Sequence, residues 1–104
     1  MSTETLTSNT LIHPGEMIKD EIECRGISQR QLAKDIEMPY STLNDILNGK
    51  KSVNAQFAMM LEAALGIDAG IWLRLQVDYD MAKAKQNTSF ANRLRRITRA
   101  AAIF

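Results

Sequence analysis

The chain has 104 residues, enough for one compact domain with an arm or a tail. With 45% hydrophobic and 24% charged residues, it is neither disordered throughout nor composed for life in a bilayer. The net charge of +1 gives bulk charge no part in nucleic-acid binding, but it hides an asymmetry: residues 1–86 carry all twelve acids against nine Lys or Arg, while residues 87–104 carry Arg93, Arg95, Arg96 and Arg99 with no acid.

Residues 1–12 are polar and rich in Ser and Thr, and read as a flexible arm whose end Leu11 and Ile12 can anchor. Pro14 suits the first turn of a helix, Glu16 favours its dipole, Met17, Ile18 and Ile22 form an apolar stripe, and Gly26 stops it. Ser28 and Gln31 have the spacing of a capping box, opening a short second helix that buries Leu32, Ala33 and Ile36. Pro39 resets the chain. A third helix follows from about Tyr40 to Asn48, with Leu43, Ile46 and Leu47 inward, closed by Asn48-Gly49 and followed by Lys50 and Lys51.

Asn54 caps a fourth helix whose Ala58, Leu61 and Leu65 share a face, ending at Gly66. Asp68 caps a fifth, about Ala69 to Lys85, holding Ile71, Trp72, Leu75 and Tyr79. Thr88 or Ser89 then caps a basic amphipathic tail, 87–104, in which Phe90, Leu94, Ile97 and Ala101 recur on one side. No alternating β-branched run is long enough for a strand, so the chain is expected to be all-α, with a folded domain over 13–86.

Cys24 is the only cysteine and excludes an internal disulfide; a buried or half-buried bystander is expected. The polar start offers no signal peptide, and no window approaches the roughly 18 apolar residues of a membrane span, so the cytoplasm is the expected compartment. His13 beside Pro-Gly reads as a capping or packing residue. No His-Glu-x-x-His, paired-Cys or Gly-rich phosphate pattern is present, so no enzyme, metal or cofactor is expected.

Function concentrates in residues 28–51. Two short helices joined by Glu37-Met38-Pro39-Tyr40, with small Ala33 where they cross, describe a helix-turn-helix. The outward residues of the third helix are almost all hydrogen-bonding groups. Asn44 can engage adenine twice, Asp45 can accept from cytosine, and Ser41 or Thr42 can reach several base edges. Gln29 and Arg30 can meet a phosphate, and Lys50 and Lys51 would add salt-sensitive contacts. So few cations call for a dimer on a two-fold operator.

From His13 to about Lys85 the chain resembles the HigA antitoxins of the lambda-repressor-like (XRE) helix-turn-helix family. The resemblance lies in His13-Pro-Gly-Glu16, in Ile27-Ser-Gln-Arg-Gln-Leu-Ala33 with Tyr40-Ser-Thr-Leu-Asn-Asp-Ile-Leu-Asn-Gly49, and in Trp72-Leu-Arg-Leu-Gln-Val-Asp-Tyr-Asp80. It implies a five-helix domain that forms a homodimer, represses its own operon through operator DNA, and neutralises a HigB-type ribosome-dependent mRNA-cleaving toxin. It also implies a DNA surface of Gln29, Arg30, Pro39, Tyr40, Ser41, Thr42, Asn44, Asp45, Asn48 and Lys50. The wider family usually places Gly four residues after the small Ala33. Here Glu37 stands there, and a turn requiring positive φ would be strained.

Three questions stay open at this level. Trp72, Leu75 and Tyr79 suit either the core or a dimer or partner interface. Phe90, Leu94, Ile97 and Phe104 form an apolar seam for self-association while the tail arginines meet phosphate or solvent; packing on its own domain and toxin binding compete with that reading. The acidic first helix, with Glu16, Asp20, Glu21 and Glu23, offers a toxin surface or a solvated face. The alternatives to an antitoxin are a stand-alone regulator of the same fold and a protein-binding scaffold that has lost DNA.

Overall fold

The computed structural model describes residues 11–100. Residues 1–10 of the expected arm, and Ala101 and Phe104 of the expected seam, lie outside the described residues. Within them every regular element is a helix: α1 Pro14–Cys24, α2 Gln29–Asp35, α3 Tyr40–Leu47, α4 Ala55–Leu65, α5 Ala69–Lys85 and α6 Thr88–Arg96. No described helix is long and apolar enough to cross a membrane.

The core gathers one stripe from each of the first five helices. Ile18 and Ile22 of α1, Leu32 and Ala33 of α2, Leu43, Ile46 and Leu47 of α3, Phe57, Ala58, Leu61 and Leu65 of α4, and Ala69 and Trp72 of α5 are all buried. Ile36 and Val53 join them from the connections. Met17 does not belong to the α1 stripe; it is 43% exposed, because the inward face runs through Pro14, Gly15, Ile18 and Ile22 and leaves Met17 at its edge. Cys24 is exposed, contrary to its expected burial, since it is the last residue of α1 and lies off that face. Leu11 is half-buried and Ile12 exposed, so only the first of them anchors the arm's end.

Helix caps follow the chemistry of short polar side chains, not always at the predicted residue. Ser28 Oγ accepts from the Gln31 amide at 3.0 Å, whereas the Gln31 side chain donates to Asp35 one turn on and does not complete a capping box. Asn54 caps α4 through the Phe57 amide. Asp68 occupies the N-cap position of α5 without a side-chain cap; Glu62 Oε1, reaching from α4, accepts from the Ala69 amide instead. Asn87, rather than Thr88 or Ser89, caps α6 by accepting from the Phe90 amide. The helix thus starts one residue earlier than Thr88 as cap would allow.

The first three helices end alike. In each, the two residues after the C-cap donate back to the carbonyls of the last turn: Gly26 and Ile27 to Glu23 and Ile22, Glu37 and Met38 to Lys34 and Ala33, Gly49 and Lys50 to Ile46 and Asp45. This closure needs a left-handed residue, and Glu37 supplies it with φ 56°, next to 74° at Gly26 and 79° at Gly49.

Candidate nucleic-acid interface

Four residues, Ile36 to Pro39, turn the chain from α2 into α3, one residue earlier than the corner expected from sequence. Pro39 is the N-cap of α3 and has no side-chain cap to offer, so the first amides of that helix stay open to an outside acceptor. The inward residues Leu43, Ile46 and Leu47 pin α3 to the core. Tyr40, Ser41 and Asn48 are exposed, and Thr42, Asn44 and Asp45 are half-buried along the same outward side.

A row of side chains crosses three helices on this surface. Gln29, the first residue of α2, accepts through Oε1 from Asn44 Nδ2 at 3.1 Å. Asn44 Oδ1 accepts from Asn48 Nδ2 at 3.0 Å, and Asn48 Oδ1 accepts from Lys19 Nζ at 3.0 Å. The Arg30 guanidinium lies 4.3 Å above the centre of the Tyr40 ring, which steadies both at the junction of α2 and α3. Asp45 faces Lys51 at 3.9 Å, an exposed pair that offsets the carboxylate's charge and adds little stability. Lys50 is exposed in the turn after α3.

The geometry therefore brings together Gln29, Arg30, Pro39, Tyr40, Ser41, Thr42, Asn44, Asp45 and Asn48, with Lys50 and Lys51 at the trailing end. Lys19 was not predicted. Its link to Asn48 spans 29 residues and has no local sequence signal.

The expected interface residues divide. Trp72 is core, 4% exposed, because Ala69, Trp72 and Gln76 form the inward face of α5. Leu75 is half-buried against the core, and Tyr79 is half-buried with its ring against His13. Phe90, Leu94 and Ile97 are 40%, 51% and 62% exposed. Helix α6 packs against α5 but stops at Arg96, and Ile97 has already turned extended, so the helical seam is shorter than expected.

An exposed short helix, fixed from behind by apolar residues and preceded by a second helix across a tight turn, defines a helix-turn-helix protein. The helix-turn-helix family model matches residues 18–72, and the chain belongs to that family. Within it the chain belongs with the HigA antitoxins. It is 33% identical to a HigA-family addiction-module antidote protein from Coxiella burnetii, whose structure superposes with a TM-score of 0.77 over 86% of this chain and 98% of that one. The Pseudomonas aeruginosa antitoxin HigA, solved with the higBA promoter, is 28% identical with a TM-score of 0.78, covering 88% of this chain and all of that one. Virulence-associated protein I of Dichelobacter nodosus is 34% identical over 82 residues, 78% of this chain and 76% of its own.

Proposed function

We propose that this chain is the antitoxin and autorepressor of a type II toxin–antitoxin pair. In this reading a homodimer sets α3 of each protomer in the major groove of a two-fold operator in its own promoter. Asn44 and Asn48 face base edges, while Arg30, Lys50 and Lys51 meet phosphates. The observation that carries it is the Gln29–Asn44–Asn48 row: amides already aligned on an exposed helix need little ordering to meet DNA. The likeness to an antitoxin solved with a promoter supports the same reading.

The partner is a HigB-type mRNA-cleaving toxin encoded beside it. The acidic side of α1, with Glu16, Asp20 and Glu23, is the surface offered to a basic partner. Residues 13–86 form the folded domain, 1–12 an arm and 87–104 a basic tail. Phe90, Leu94 and Ile97, exposed on and just after α6, supply the self-association seam. A DNA-bound repressor works in the cytoplasm, and no catalysis belongs to this role.

The test is one preparation in two uses. The chain, co-expressed with the adjacent gene, is expected to co-elute with a basic protein of about a hundred residues. Purified alone, it is expected to bind its own promoter with a steep salt dependence. Promoter binding without a co-eluting toxin leaves a stand-alone regulator, and loss of promoter binding removes the DNA role altogether. Truncation after Gln86 is expected to leave a sedimenting mass of one truncated protomer; a mass of two truncated protomers rejects the seam.

A further inference from the structure

The side-chain row on α3 begins at a residue outside the helix-turn-helix. Lys19 sits half-buried on α1, and its Nζ donates to Asn48 Oδ1. An ammonium carries donors only, so it can meet nothing but the oxygen of that amide. Asn48 Nδ2 must then face Asn44, where only Oδ1 can accept it. Asn44 Nδ2 in turn meets Gln29 Oε1, and the row ends on the N–H donors of Gln29 Nε2, which meet no acceptor among the described residues. Without the cation, each amide could turn over and still find a partner in its neighbour. With it, the whole row has one polarity.

The geometry points to Lys19 as a positioning residue for DNA readout. It holds Asn44 so that one unused Nδ2 hydrogen and one unused Oδ1 lone pair remain side by side, the pair that adenine N7 and N6 require. It also leaves Gln29 presenting donors, suited to a phosphate oxygen or to the acceptor edge of a purine. Charge-assisted bonds are about twice as strong as neutral ones, which is why an ammonium at the head of the row suffices to choose its direction. This inference rests on the reading of α3 as the DNA reader.

The test uses the full chain with Lys19→Met, which keeps an unbranched stem and removes the donors, and Lys19→Arg, which restores donors and charge. Two measurements are made: affinity for the chain's own promoter and for single-base variants of it across a salt series, and the side-chain amide signals of Asn44 and Asn48 by NMR without DNA. The Met variant is expected to lose about five- to tenfold in affinity for the promoter, to discriminate less between variants at one base position, and to keep the salt slope. Its Asn44 and Asn48 amide signals shift, its melting temperature does not, and the Arg variant recovers discrimination.

Undiminished discrimination with a salt slope reduced by about one makes Lys19 a plain phosphate contact and overturns the inference. Unmoved amide signals overturn it as well. If the wild type shows no preference for its promoter, the DNA-reader reading fails instead, and the amide signals still decide whether Lys19 orders the row.

Discussion

The imidazole of His13 meets the ring of Tyr79 edge-on, with centroids 4.9 Å apart and planes inclined at 77°. His13 is also the N-cap of α1, its Nδ1 accepting from the Gly15 amide at 2.9 Å. One buried side chain thus joins the opening of α1 to the middle of α5, and it does so only while Nδ1 is unprotonated. Burial holds its pKa below the usual 6.5; the carboxylates of Asp80 and Glu16 pull it back up, and Lys83 adds to the lowering. The unfolded chain therefore binds the proton first. The His13 contribution to stability is complete above about pH 6.5 and is lost as pH falls through the folded-state value. Melting temperatures taken from about pH 7.5 down to 5.5 are expected to fall in the wild type. They are expected to stay flatter in His13→Asn, which keeps a capping oxygen and cannot titrate.

Gly15 of α1 packs directly against the backbone of α3. A Cβ built there would stand 2.3 Å from the Ile46 carbonyl oxygen and 2.8 Å from Leu47 Cα, both backbone atoms that cannot swing aside. Gly15→Ala is expected to cost about 1–3 kcal/mol in urea unfolding. Because the displaced backbone is that of α3, operator affinity is expected to fall with stability.

Much of this is legible in the sequence. The 3.6-residue stripes place five core helices within a residue or two, and Gly26, Gly49 and Gly66 mark their ends. Ser28 and Asn54 are caps as predicted, and the outward polar set of α3 is the one expected from its pattern. What periodicity could not supply was the cover over each face. Trp72 fits an interface as well as a core until it is seen buried on the inward face of α5, and Phe90 and Leu94 fit packing on their own domain as well as self-association until both are seen exposed on an α6 that buries nothing of its own. Cap identity at α6 turned on a one-residue shift to Asn87. The Lys19–Asn48 contact joins helices far apart in sequence, beyond any local pattern.

Glu37 carries a measurable strain. It closes α2 with the same pair of backbone bonds that Gly26 and Gly49 make, at φ 56° and with a Cβ. The left-handed conformation costs a non-glycine residue about 1–2 kcal/mol, and glycine returns part of this as unfolded-state entropy. Glu37→Gly is expected to raise stability by about 0.5–1 kcal/mol, read as a higher denaturation midpoint at unchanged slope.

Gln76 explains why an amide belongs on the inner side of α5. It is 5% exposed, accepts through Oε1 from the Val53 amide at 2.8 Å and donates through Nε2 to Asp80 at 2.9 Å. The loop that carries the chain from α3 to α4 is tied to α5 by this bond. Gln76→Leu fills similar space but leaves the Val53 N–H without a partner, and is expected to cost about 1–3 kcal/mol by calorimetry or urea unfolding.

Operator binding by Asn44→Ala, beside Lys50→Ala, tests most directly whether α3 reads DNA. The account predicts that the Asn44 variant loses about 1–3 kcal/mol at a single base position and becomes indifferent to the base there. Lys50→Ala is predicted to weaken binding to every sequence alike, with a shallower salt dependence. Wild-type affinity, selectivity and salt slope in both variants would contradict it.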